Sequence, residues 1–157
     1  MMDCRSMDTS MVTNLKNIHD HEPDLIDPLM YHKLIGTLNY LVNIRPDICY
    51  VVNTLSQFLV EPRHVHWVAA KHILRYLHGT IGYGLKYVFS GKWQLHGFTD
   101  VDWAGSSDDR KSTSGFCFSL GSAMISWSSR KKTFVALSMD EVECIVACST
   151  CCETVWL

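Results

Sequence analysis

Asp100, the third residue of the run Phe98-Thr99-Asp100-Val101-Asp102-Trp103-Ala104-Gly105, stands at the end of a predicted strand, where alternating apolar side chains lead into a carboxylate. A carboxylate fixed on so rigid an element can hold a hard cation through oxygen. Glu143 lies one turn into a predicted helix near the end of the sequence. A strand aspartate facing a helix glutamate is the skeleton of a two-metal site for phosphodiester cleavage. Such a site needs several carboxylates converging on cations ~3.5–4 Å apart, one activating water and the other stabilising the leaving oxygen. Asp100 and Glu143 meet that description if the helix packs on the sheet. The plainer reading of the same residues is two solvated acids near loops.

Three helices, two strand pairs and a closing helix must position these residues. Residues 1–28 are polar, lack a clear period and end in Glu22-Pro23 and Asp27-Pro28, which marks a loosely ordered lead-in. From Leu29 to Leu41 the apolar residues Met30, Leu34, Leu38 and Leu41 recur at helical spacing until Arg45-Pro46-Asp47 breaks the run. Pro46 suits the first turn of a second helix with Ile48, Val51, Val52, Leu55 and Leu59 on its apolar face. A third helix, His66 to Leu77, groups Ala69, Ala70, Ile73, Leu74 and Leu77, and Gly79, Gly82 and Gly84 end it.

The period then changes from helical to alternating. Leu85 to Phe89 and Gln94 to Asp100 read as strands joined by Ser90-Gly91-Lys92, and Gly115 to Leu120 and Ala123 to Trp127 as a pair around Gly121-Ser122. After a basic turn, Arg130-Lys131-Lys132, helical spacing returns from Ser138 to Leu157 through Val142, Ile145, Val146, Cys152, Val155 and Trp156, with Ser138 and Glu141 as a capping box. The fold class is α+β: helices first, then an antiparallel sheet and a closing helix. The expected organisation is a lead-in over 1–28, a helical region over 29–80 and a sheet-containing domain over 81–157.

Hydrophobic residues at 47% and charged ones at 19% of 157 describe a globular chain and exclude a disordered one. A net charge of -2 is poor for gripping nucleic acid, so such contact must be local. Lys71 and Arg75, four apart on one helix face, and Arg130, Lys131 and Lys132 are the candidates for phosphate contact; each group also reads as a solvated charged face. Seven cysteines without framework spacing predict reduced thiols in an intracellular compartment, packed as small hydrophobes. Cys144, Cys148, Cys151 and Cys152 crowd one helix without a second cluster or a histidine knuckle, which favours a thiol-rich packing face over zinc. No stretch resembles a signal peptide, and none approaches the ~18 apolar residues of a membrane span, so a soluble intracellular protein with no membrane partner is expected.

Several blocks, in order, resemble the Pol polyproteins of copia-type retrotransposons: Leu38-Asn39-Tyr40-Leu41, Arg45-Pro46-Asp47-Ile48, His66-Trp67-Val68-Ala69-Ala70-Lys71, Leu74-Arg75-Tyr76-Leu77-His78-Gly79-Thr80, Thr99 to Gly105, Arg110 to Gly115 and Ile125-Ser126-Trp127. The likeness runs from about Tyr31 onward. It implies the helical connection after the reverse transcriptase, followed by an incomplete ribonuclease H-like antiparallel sheet with its closing helix. The implied activity is cleavage of the RNA strand in RNA:DNA hybrids with Mg²⁺, the partners being such hybrids or other polyprotein segments.

By that resemblance Asp100 corresponds to the first catalytic aspartate and Glu143 to the helix glutamate, with Asp102 a further characteristic acid that also reads as a strand cap. Asp100, Asp102 and Glu143 are thus the implied metal ligands. The family motif Ser-Thr-x-Glu-Ala-Glu-Tyr stands here as Ser138-Met139-Asp140-Glu141-Val142-Glu143-Cys144, and those replacements put the helix's packing on the sheet in doubt. The family's third aspartate comes from a later strand, while Glu153 is the only acid among the fourteen residues after Glu143. A vestigial, weak metal site and a truncated, catalytically incomplete domain over 81–157 are therefore expected. No Tyr-x-Asp-Asp turn is present, because the only Asp-Asp, Asp108-Asp109, follows Ser106-Ser107, so polymerase activity is excluded.

Similar copia-like fragments also resemble secreted RxLR-type effectors of oomycetes. That likeness implies delivery into host cells, host plant proteins as partners and an effect on defence or cell death. The corresponding tetrapeptide is Arg75-Tyr76-Leu77-His78, a partial match that inheritance from the retroelement also explains.

Overall fold

The computed structural model describes residues 4–11, 26–88, 93–106 and 109–157. It divides into two compact units, Met1–Gly84 and Leu85–Leu157.

The first unit is helical. Helix α1 (Pro28–Val42) starts where the Asp27 carboxylate accepts a 3.0 Å hydrogen bond from the Leu29 N–H, and Pro28 takes the first helical position, where no N–H is needed. Of the expected Met30, Leu34, Leu38 and Leu41 stripe, Leu38 is buried and Leu34 and Leu41 pack beside it, but Tyr31 and Ile35 complete the buried face and Met30 is exposed. The difference has a polar cause: Tyr31 reaches inward and donates to the Leu55 carbonyl at 2.9 Å, so its hydroxyl is satisfied while its ring fills the core. A 3-10 turn, Pro46–Ile48, runs into α2 (Cys49–Leu55), which tightens to a second 3-10 turn at Ser56–Phe58. Helix α3 (His64–Gly79) packs Ala69, Ala70, Ile73 and Tyr76 against Ile48, Val51, Val52 and Leu55 of the preceding elements.

Of the lead-in expected over 1–28, residues 4–11 and 26–28 are described. Residues 4–11 lie along α3: Arg75 Nε donates to the Arg5 carbonyl at 2.9 Å, and the Met7 N–H to the Arg75 carbonyl at 3.4 Å. A Cβ on Gly79 would come within 2.8 Å of the Ser6 Cβ, so this glycine admits the segment. Backbone pairing is invisible to side-chain period, which is why the strap was missed. Residues 1–3 and 12–25 of the lead-in lie outside the described residues.

The second unit is a three-stranded antiparallel meander, β1 (Leu95–Asp102), β2 (Thr113–Leu120) and β3 (Ala123–Lys131), closed by helix α4 (Met139–Trp156). Gly121 at φ 63 makes the tight turn from β2 to β3, and a bulge follows where Phe118 pairs with Ser126 but Ser119 with Met124. Phe118 is buried with its ring over Gly97, its cross-strand partner; a Cβ on Gly97 would lie 2.6 Å from the ring. Ser138 caps α4 by accepting from the Glu141 N–H at 3.2 Å, and Glu141 reaches back to the Leu137 N–H at 2.8 Å.

Three expectations fail here. Leu85–Val88 is not a strand: it is tied down by the Tyr87 hydroxyl on the Met124 carbonyl at 2.7 Å and the Val88 N–H on Ser122 Oγ at 2.8 Å, because alternation reports an extended backbone but not a partner. The remaining residues assigned to that hairpin, 89–92, lie outside the described residues. Arg130 and Lys131 belong to β3 rather than to a turn. In α4 only Val142 and Val146 are buried, against Val101 and Ala136, whereas Val155 and Trp156 are 87% and 80% exposed.

The cysteines also depart from the packing reading. Cys49 is buried and Cys117 half-buried, but Cys4, Cys144, Cys148, Cys151 and Cys152 are exposed free thiols. The four on α4 point away from the small contact that Val142 and Val146 make.

Candidate functional site

Strand β1 carries Asp100 at its sixth position, opposite Gly115 of β2. Its Oδ1 accepts from the Val101 N–H at 2.9 Å. The neighbours on either side face α4: Thr150 Oγ1 donates to Thr99 Oγ1 at 3.4 Å, and Val101 packs with Val142 and Val146. Strand alternation therefore puts Asp100 and Asp102 on the other face of β1, while Glu143 sits exposed on α4 without a hydrogen bond or ion pair among the described residues.

Asp102 ends the strand. Its carboxylate occupies the space that a side chain on Gly105 would need. The loop beyond it bends sharply, with Ala104 at φ 50 and Arg110 at φ 52, left-handed values that cost a non-glycine residue of order 1 kcal/mol or more. Ser112 Oγ holds that bend by accepting from the Ala104 N–H at 3.2 Å. Among the described residues no group of three or more His, Cys, Asp or Glu side chains is arranged to hold a metal ion. The carboxylates as placed do not fit the convergent oxygen set that Mg²⁺ takes.

The five basic candidates part company. Lys131 Nζ lies 3.0 Å from Asp109 Oδ1 and 3.0 Å from Ser106 Oγ. Burial alone would raise the Asp109 carboxyl, but hydrogen bonds from Ser106, Lys131 and the Lys111 N–H, with the Lys131 charge, hold it well below the ordinary carboxylate range. Lys71 Nζ stands 5.0 Å over the Trp67 ring, and Arg75 donates from Nε to the Arg5 carbonyl. Among the described residues only Lys131 of the five has an acidic partner, and Arg130 and Lys132 flank it without one. The tetrapeptide Arg75-Tyr76-Leu77-His78 lies inside α3 with Tyr76 buried.

Two polar clusters escaped sequence reasoning. Arg45, buried, donates from Nε and Nη2 to both Asp47 oxygens and from Nη1 and Nη2 to the Thr80 carbonyl and Oγ1. The Asp47 hydrogen bonds outweigh burial and raise the Arg45 guanidinium further, while Asp47, lifted by burial, is lowered overall by Arg45 and Tyr76. Arg45-Pro46-Asp47 signalled a helix break, and nothing in its spacing indicated Thr80. The second cluster is Glu153, whose Oε1 accepts from Ser126 Oγ at 2.8 Å and so joins α4 to β3. His66 caps α3 by accepting from the Arg63 N–H at Nδ1 and stacks on Phe58 at 3.9 Å.

No family model and no solved structure matches the chain. Curated relatives do. The chain is 39% identical over all 157 of its residues to the retrovirus-related Pol polyprotein from transposon RE2 of Arabidopsis thaliana, and 44% identical over 133 residues to that from transposon RE1 of the same plant. These matches cover 11% and 9% of the two polyproteins, so the chain spans about a tenth of their length. It is also 42% identical over 128 residues, 81% of this chain and 90% of the relative, to secreted RxLR effector protein 161 of Plasmopara viticola. Helices followed by a partial antiparallel sheet and a closing helix, with these relatives, define a retroelement polyprotein segment of α+β class. The chain is related to a segment of the copia-type retrotransposon Pol polyproteins. No helix among the described residues is long and apolar enough to cross a membrane.

Proposed function

We propose that these residues form a catalytically silent, ribonuclease H-like part of a copia-type Pol polyprotein, built on the scaffold that cuts the RNA strand of RNA:DNA hybrids. Asp100 supports the reading: the residues flanking it, Thr99 and Val101, turn toward α4, so its carboxylate is directed away from the helix that bears Glu143. Two-metal cleavage needs those groups on the same cations. In this role the chain works inside the cell, in cytoplasm or nucleus, with RNA:DNA hybrid or other polyprotein segments as partners and with Mg²⁺ at most loosely held. The test is incubation of the purified chain with a labelled RNA:DNA hybrid and Mg²⁺. No cleavage at any protein concentration is expected, and Mg²⁺-dependent cleavage abolished by Asp100→Asn overturns the proposal.

A second reading, an RxLR-type effector acting in plant host cells on defence or cell death, is favoured by the coverage of the Plasmopara viticola relative, 90% of that protein against about a tenth of the polyproteins. Its partners would be host plant proteins, met by surface rather than by catalysis. Expression in leaf cells against a scrambled control decides it: altered cell death supports the effector role, and no difference removes it.

A further inference from the structure

A cleft of about 420 Å³ opens between the β2–β3 face of the sheet and the second half of α4. Its walls carry opposite charges at opposite ends. Arg130 and Lys132 stand at one end, and Glu153, hydrogen-bonded to Ser126, stands at the other. Ser126 and Arg130 are four residues apart on β3, or roughly 13 Å at the rise of an extended strand. Ser128 lies between them, and Phe116 gives the cleft an apolar patch. The neighbouring cation Lys131 is neutralised by Asp109, whereas Arg130 and Lys132 face the cleft without an acidic partner among the described residues.

We propose that this cleft binds a small phosphomonoester, its phosphate between Arg130 and Lys132 and a hydroxyl at its far end donating to Glu153. Guanidinium and ammonium groups make their strongest hydrogen bonds to phosphate oxygens, and Ser128 adds a neutral donor along the way. The volume falls within the range of ordinary small-ligand clefts. The charge polarity argues against a continuous nucleic-acid strand, since the phosphates following the first would approach the Glu153 carboxylate and be repelled. A ligand with one anionic end and one hydrogen-bond-donating end suits both walls. The site is separate from Asp100, Asp102 and Glu143 and holds whether or not the chain cuts nucleic acid.

The test is isothermal titration of the full chain with inorganic phosphate, a hexose 6-phosphate and a short RNA:DNA duplex. The hexose phosphate is expected to bind saturably and more tightly than inorganic phosphate. Arg130→Ala with Lys132→Ala should weaken it by about tenfold or more, a loss of ~1.4 kcal/mol. Glu153→Gln should bring the hexose phosphate and inorganic phosphate closer in affinity, and Lys33→Ala, on an exposed face of α1, should change nothing. Unchanged circular dichroism shows that each variant is folded. No saturable binding of the hexose phosphate, binding indifferent to the double variant, or displacement of the hexose phosphate by the duplex at lower concentration each overturns the proposal.

Discussion

The Tyr76 hydroxyl donates a 2.7 Å hydrogen bond to Asp47 Oδ2, the oxygen that also accepts from Arg45 Nη2 at 2.7 Å. One carboxylate thereby fastens the end of α3 to the turn that opens α2, across twenty-nine residues of chain. Arg45 completes the clamp on Thr80, whose own Oγ1 donates to the Tyr76 carbonyl at 2.9 Å.

Tyr76→Phe removes one donor to a charged acceptor and keeps the ring in place. A hydrogen bond of that kind contributes about 1.5–3 kcal/mol, and the Arg45 contacts that survive put the expected loss near the lower figure. Urea unfolding of the variant should show it, while Tyr40→Phe, at a residue 76% exposed, leaves the midpoint where it was.

Acid should loosen the chain through two carboxylates. Asp47 and Asp109 both titrate below the ordinary carboxylate range in the folded state, so each adds stability that is complete above the unfolded value near 4. That stability is lost as pH falls from there through the folded values. Urea midpoints between pH 7 and pH 2.5 should therefore decline on the acid side, and Asp109→Asn should flatten the decline while lowering stability at pH 7.

Gly105→Ala drives a methyl group into the Asp102 carboxylate. Asp102 is exposed and its carboxylate can swing aside, so the expected loss is about 0.5 kcal/mol. Asp102→Ala vacates the space, so the double variant should be more stable than the sum of the two single losses allows. Strict additivity in a denaturation cycle would show that the two residues do not compete for that space.

Thiol labelling under native conditions should separate the cysteines by burial. Cys4, Cys144, Cys148, Cys151 and Cys152 are expected to react promptly with an aromatic disulfide reagent, and Cys49 only after unfolding. Mass spectrometry of the partly labelled protein reads the order directly.

The helices were legible because their signals are local. Asp27-Pro28, Pro46 and Ser138 mark starts through backbone chemistry that tertiary structure does not override, and Val51, Val52 and Leu55 fill the core as their spacing predicts. What could not be read were relationships between distant residues of ordinary type. Nothing local shows that Arg75 donates to the Arg5 carbonyl, that Lys131 is neutralised by Asp109, or that Glu153 meets Ser126. The candidate site shows the same limit: spacing located Asp100 and Glu143 on a strand and a helix, but which face of β1 meets α4 is decided by Thr99 and Val101.

The ring of Phe118 over Gly97 makes two positions, twenty-one apart in the chain, answerable to each other. A lineage that acquires any side chain at 97 must give up aromatic volume at 118, and one that keeps the phenylalanine is held to glycine. Drift across this strand pair is therefore ordered: position 97 can change only with or after a loss of volume at 118.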